Sequence, residues 1–196
     1  MSDNQKKQRF LNHFISIVQK NSWNIESFNK AQKKLKYSPN LLKVLFPNKL
    51  NDLVFYFSDF INKKMITAYK KKRINKKSLR LQILTLLKIR FNILNEYKSV
   101  IKESMVFLCS PSKQLLSSKL IFKTADFMWI SINDKSTDYN FYTKRAILGT
   151  IYSVVILFWL NDKSNKLDKT YNLLEKLIMN MNFISSLKKC LKEKFF

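Results

Sequence analysis

Apolar positions recur at spacings of three and four along almost the whole chain, the period of helices that each bury one face. Phe10, Phe14, Ile17 and Val18 make a first stripe that Trp23 closes, and Ile25, Phe28, Ala31 and Leu35 make a short second one. Ser38 before Pro39 predicts a third helix over residues 39–46, ended by Pro47. The serine hydroxyl caps free N–H groups there, and proline suits the first helical position. A fourth helix is predicted over residues 49–73, with Leu53, Phe57, Phe60, Ile61 and Met65 inward. A fifth, over residues 78–97, carries Ile83, Leu86, Leu87 and Phe91. A shorter helix reaches Cys109, Ser110-Pro111 breaks the pattern, and a seventh helix fills residues 115–132 with Phe122, Asp126, Met128 and Trp129. Ser136 or Thr137 can cap the eighth, and a last helix from Leu167 presents Tyr171, Leu174, Ile178, Met181, Ile184, Leu187 and Leu191. Three prolines and one glycine in 196 residues leave few breakers, so the expectation is an all-α bundle of about nine helices in one domain.

The eighth helix is the most informative. Its start, around Asp134-Lys-Ser-Thr-Asp-Tyr-Asn-Phe-Tyr-Thr-Lys-Arg145, is polar and aromatic; residues 146–160 then carry no charge at all. At helical spacing Asp138, Phe141, Tyr142 and Arg145 share one face, which reads as a recognition surface. Capping electrostatics explain Asp138 equally well, and an internal ion pair of Asp138 with Arg145 or Lys144 is the competing account of the charges. The 15-residue apolar run is shorter than the roughly 18 residues that span a bilayer, so the expectation is a helix buried on all sides.

A net charge of +24 suggests nucleic acid or acidic lipid headgroups as partners. The abundance of Lys, Asn, Ile and Phe beside scarce Ala, Gly and Pro is also what AT-rich codons give, so much of the basic excess fits solvated faces. Two basic segments stand out. One is Lys70-Lys-Lys-Arg73 continued by Lys76, Lys77 and Arg80, and the other is the tail, which interleaves Lys188, Lys189, Lys192 and Lys194 with Leu191, Phe195 and Phe196. Either can contact anionic lipid, and a solvated helix end explains each as well. Cys109 and Cys190 fit no metal-ligand spacing, His13 is the only histidine, and no nucleophile motif or phosphate loop is present, so catalysis, metal and cofactor are not expected. The N-terminus lacks the apolar core of a signal peptide, so no export is expected.

The pattern Asp134-x-Ser-Thr-Asp138-x-Asn-aromatic-Tyr142-Thr-Lys-Arg145-Ala resembles the ubiquinone-biosynthesis accessory family, the ninth Coq protein of mitochondria and its bacterial relatives. Thr124-Ala-Asp126-x-Met-Trp129 upstream and Phe-Trp-Leu-Asn-Asp162 downstream carry the resemblance further, and it is densest over residues 124–189. It implies a TetR-like helical dimer that binds an isoprenoid quinone precursor or other lipid, has no catalysis of its own, and works with the di-iron demethoxyubiquinone hydroxylase at a membrane. Asp138, Phe141, Tyr142 and Arg145 would then lie on the surface that meets the hydroxylase. Phe141 stands where relatives usually carry Trp, which keeps an aromatic anchor and loses an indole donor. A mitochondrial transit segment is lacking, which points to a bacterial cytoplasmic protein peripheral on the inner membrane.

Within residues 1–196, residues 1–48 would form a helix-turn-helix-like part and residues 49–196 the pocket and dimerisation part, the last two long helices building the dimer. The lipid cavity would be walled by Phe57, Phe60, Ile83, Leu87, Phe122, Met128, Trp129, Tyr152, Ile156 and Trp159, with Gly149 allowing close approach; each of these fits plain core equally. The competing reading is a TetR-type DNA-binding regulator with an apolar effector pocket. It is disfavoured because only Asn40 and Lys43 in residues 39–46 could meet base edges.

Overall fold

The structure, a computed structural model, describes residues 2–72 and 78–180. Arg73, Lys76, Lys77, the predicted helix positions Met181, Ile184, Leu187 and Leu191, and the basic tail lie outside the described residues. Among those described the fold is all-α: α1 (Asp3–Val18), α2 (Ile25–Leu35), α3 (Pro39–Leu45), α4 (Leu50–Lys71), α5 (Leu79–Asn95), α6 (Lys98–Leu108), α7 (Gln114–Ser131), α8 (Asp138–Leu160) and α9 (Asp168–Met179). Short 3-10 turns at Pro111–Lys113 and Asn165–Leu167 precede α7 and α9.

The helices group into two compact units, one of Met1–Lys64 with Ile93–Leu120 and one of Met65–Asn92 with Ile121–Phe196. In the first unit, Phe10 of α1 packs against Phe28 of α2 at 4.9 Å and Phe46 after α3 at 5.4 Å, while Trp23 meets Phe14 edge-on at 4.8 Å. Local chemistry fixes the ends of these helices. Ser2 and Gln5 form a reciprocal capping box for α1, Asn24 caps α2, and the Ser38 side chain accepts from Leu41 N–H to cap α3 with Pro39 at its first position. Lys36 turns the chain between α2 and α3 in a left-handed conformation, with φ 54°. The two short helices joined by a tight turn therefore form as the sequence predicts.

The second unit is organised on α8. Leu148, Ile151, Tyr152, Val155 and Trp159 are buried on it, beside Ile83, Leu87 and Phe91 of α5 and Met128 and Trp129 of α7 in the same unit's core. Phe91 lies 5.9 Å from Tyr152 and 5.8 Å from Trp159. At Gly149 α7 approaches α8 closely: a Cβ there would meet Ile121 Cγ2 at 3.0 Å.

One expectation needs correcting. Helix α8 is not buried on all sides, because Val154, Leu157 and Phe158 are exposed, with Leu157 at 55%. Its 23 residues make it, among the described residues, the one helix long and apolar enough by length and composition to cross a membrane. The charge-free run thus serves two faces: one seals the unit's core, and the other presents bulky apolar side chains outward.

Candidate functional site

The start of α8 and the turn that precedes it are built on a buried arginine. Arg145 is only 2% exposed. Its Nε donates to Asp126 Oδ1 at 2.6 Å, and its Nη1 donates to the Phe141 carbonyl at 3.1 Å and lies 3.8 Å from Asp134 Oδ2. The flat guanidinium also stacks on the Phe141 ring, 3.4 Å from its centroid. Planarity lets one group hold a carboxylate in its plane and a ring against its face, which an ammonium cannot do.

Asp134 is the second anchor. Lys144 donates to it at 2.7 Å and Ser136 hydrogen-bonds its other oxygen. Burial pushes the Asp134 carboxyl up, but the hydrogen bonds from Lys144 and Ser136 and the charges of Lys144 and Arg145 outweigh it, so its pKa sits below the ordinary carboxylate value. Trp129 closes the frame: its indole N–H donates to the Lys144 carbonyl at 3.2 Å, and the Lys144 ammonium lies 5.2 Å from its ring. The α7–α8 corner is thereby fixed by two carboxylates, two cations and two aromatic rings.

This geometry changes the expected face. Arg145 points inward and is the frame beneath the surface rather than part of it. Its partners are Asp126 and Asp134, not Asp138. Asp138 opens α8 with φ 54°, a left-handed backbone that turns the preceding chain away from the helix axis. Asp138 is exposed and its carboxylate accepts from the Thr137 hydroxyl at 3.4 Å. Phe141 is half-buried, with one face against Arg145. Tyr142, 66% exposed, meets the Phe141 ring edge-on at 5.1 Å. Tyr139, equally open, extends the aromatic edge. The structure thus brings together Asp138, Tyr139, Phe141 and Tyr142 on a rigid mount.

The residues proposed to wall a cavity divide between the units. Phe57 and Phe60 belong to the first unit and stack at 6.5 Å, with Tyr97 edge-on to both. Ile83, Leu87, Met128, Trp129, Gly149, Tyr152 and Trp159 are buried in the second unit, while Phe122 is 38% exposed and Ile156 half-buried. Trp129 is committed to the corner by its hydrogen bond. Tyr152 receives the Nε–H of buried Arg90 at 3.1 Å, which places a cation at one end of the Phe91–Tyr152–Trp159 aromatic cluster. Neither Arg90 nor Asp134 was singled out from sequence as a site residue. Asp134 and Asp126 stood inside the recognised pattern, and their place in it was the available signal; Arg90 stands beside Lys88 in an otherwise apolar stretch of α5, and nothing in the sequence marked it as buried.

A groove of about 520 Å³ at the α8–α9 turn is lined by Phe158, Asn161, Asp162, Lys163, Ser164 and Lys169, none of them among the proposed lipid residues. Asp162 is buried and accepts from Ser164 N–H at 2.8 Å, Thr170 N–H at 3.0 Å and the Thr170 hydroxyl at 2.5 Å. Burial acts to raise its pKa, but these hydrogen bonds lower it strongly on balance. Among the described residues no group of three or more His, Cys, Asp or Glu side chains is placed to hold a metal.

Comparison with known proteins places this corner inside a recognised domain. The COQ9 family profile matches residues 115–184. The probable ubiquinone biosynthesis protein coq9 of Dictyostelium discoideum is 24% identical over 164 residues, 81% of this chain and 53% of that protein. The coq9 protein of Schizosaccharomyces pombe is 26% identical over 193 residues, 93% of this chain and 72% of its own length. The human COQ9 protein is 24% identical over 190 residues, 92% of this chain and 59% of its own. The chain spans about half the length of the first of these relatives and under three-quarters of the other two. The chain is thus similar to COQ9 proteins of ubiquinone biosynthesis over most of its length, and its residues 115–184 match the COQ9 family profile.

Proposed function

We propose that this chain is a non-catalytic accessory protein of ubiquinone biosynthesis, which binds an isoprenoid quinone precursor or related lipid and supports a separate hydroxylase at a membrane. The observation that carries the partner half is the aromatic edge of exposed Tyr139 and Tyr142 with half-buried Phe141 between them, held on the Arg145–Asp126–Asp134 frame within residues 115–184. Exposed aromatic rings that lose little conformational freedom on docking are the side chains that dominate interface energetics. Asp138 beside them supplies a charge that sets orientation. The lipid half rests on the names of the relatives and on the apolar interior of the second unit.

The exposed Val154, Leu157 and Phe158 fit a homodimer built on α8. On a chain of net charge +24, self-association needs a face without charge, and residues 146–160 provide one.

Tyr142→Ala is the cleanest test, because that ring is exposed whereas Phe141 packs on the guanidinium. The variant keeps its melting temperature and loses co-purification with the demethoxyubiquinone hydroxylase; truncating such an anchor costs about 2 kcal/mol of binding. Retained co-purification at parental affinity removes the docking assignment. Native mass spectra of protein purified without detergent test the lipid half: a retained lipid supports it. Bare protein whose melting temperature does not respond to added quinone analogues removes it.

A further inference from the structure

The helix-turn-helix corner of the first unit has no part in the function proposed above, yet it has an unusual surface. Residues 1–51 carry ten basic side chains against two acidic ones, Asp3 and Glu26. Both acids are occupied, Asp3 by Lys6 at 3.2 Å and Glu26 by Lys30 at 2.7 Å. Between Glu26 and Asp52 the chain has no acidic residue, and Asp52 is turned to the start of α4, where it accepts from the Asn48 backbone N–H at 2.7 Å. Lys33, Lys34, Lys36, Lys43 and Lys49 are all exposed and have no ion-pair partner among the described residues. Val44 stands among them at 69% exposure, with Pro39 and Pro47 exposed at the two ends of the short helix.

The corner is also stiff. Lys36 takes the left-handed turn, the Gln32 side chain donates to the Tyr37 carbonyl at 3.1 Å, and Ser38 caps α3. Lys33 and Lys34 close α2, Lys36 forms the turn and Lys43 lies in the seven-residue α3, so these exposed lysines fall within eleven consecutive residues of the chain, and α3 itself is only about 10 Å long.

We propose that this α2–α3 corner is a contact surface for anionic phospholipid, with Lys33, Lys34, Lys36 and Lys43 meeting headgroup phosphates and Val44 entering the acyl boundary. Unpaired cations in a region without free carboxylates are complementary to a negative leaflet, and an exposed β-branched apolar side chain beside Lys43 is stabilised by leaving water. A DNA-reading helix needs several polar side chains on its exposed face, and α3 offers Asn40 and Lys43 beside an apolar tip. The same surface thus fits a phosphate-bearing interface with an apolar interior better than the grooves of a duplex.

The test is partitioning of the full chain onto vesicles of phosphatidylcholine with and without phosphatidylglycerol. The parent binds the anionic vesicles, and binding weakens as NaCl is raised because headgroup attraction is screened. The variant Lys33→Gln, Lys34→Gln, Lys43→Gln binds on the order of a hundredfold more weakly, from roughly fivefold per lysine at an anionic surface. A control with the same charge change at exposed Lys119, Lys135 and Lys163 loses less than tenfold. Val44→Ser, whose side chain makes no core, lowers the salt-resistant part of binding without changing the melting temperature. Equal losses in the two triple variants, or no loss in either, overturn the proposal. So does tighter binding of the parent to random-sequence duplex DNA than to anionic vesicles at the same salt, with that binding lost in the Lys33, Lys34, Lys43 variant, which assigns the corner to nucleic acid.

Discussion

Replacing Arg145 with alanine tests whether the α7–α8 corner is held by its ion-pair frame or by apolar packing alone. The guanidinium is 2% exposed and would be removed from between Asp126, the Phe141 carbonyl and the Phe141 ring. Removing one member of a buried pair typically costs about 3 to 5 kcal/mol, chiefly by stranding the other charge. Here the stranding is partial: Asp134 keeps Lys144 and Ser136, and the Asp126 side chain, 29% exposed, can rehydrate. The low end, about 3 kcal/mol, is therefore expected. For a chain of this length that is a fall of roughly 6 to 12 °C in melting temperature. Arg145→Lys cannot bond Asp126, bond the carbonyl and stack on the ring at once, and loses about 1.5 kcal/mol. Urea unfolding followed by tryptophan fluorescence and far-ultraviolet circular dichroism measures both, and a cycle with Asp126→Asn gives a coupling of at least about 1 kcal/mol. If Arg145→Ala stays within about 0.5 kcal/mol of the parent and the coupling is near zero, the frame does not hold the corner.

Three further outcomes follow from the second unit. Asp162 has a strongly lowered pKa, so its contribution to stability is present above the unfolded-state value of 3.8 and is lost as pH falls toward its folded value; Asp162→Asn therefore lowers stability at neutral pH and flattens the acid limb of a stability-against-pH curve, and an unchanged limb contradicts this. Gly149→Val drives side-chain atoms into Ile121, already 3.0 Å from where a Cβ would stand, and costs about 1 to 3 kcal/mol by thermal unfolding; a parental melting temperature shows that α7 yields. Leu157→Glu places charge on the exposed α8 stripe, and if that stripe joins two copies, sedimentation velocity shows monomer where the parent sediments as dimer, at an unchanged melting temperature of the isolated chain. A parent that is itself monomeric removes the dimer reading.

Much of the fold was legible because helix formation here is local. Apolar spacing set the stripes of α1, α2, α5 and α7, and Ser38 with Pro39 set the start of α3 to the residue. The recognised pattern around residues 124–162 likewise survives in single sequence, since it is a matter of residue types in order. Tertiary structure alone decided what those residues do. Helical spacing put Arg145 on a face with Asp138, but the carboxylates that meet buried Arg145 come from α7 and from the loop after it. The same holds for α8 as a whole: fifteen uncharged residues read as a fully buried helix, and only the packing of α5, α7 and α9 determines that Leu148, Val155 and Trp159 face inward while Val154, Leu157 and Phe158 do not. Periodicity reports which side chains can share a face. Whether that face is covered depends on neighbours distant in sequence, and an ion pair depends on them too, because the energy of burying a charge is set by whichever opposite charge the fold brings within reach.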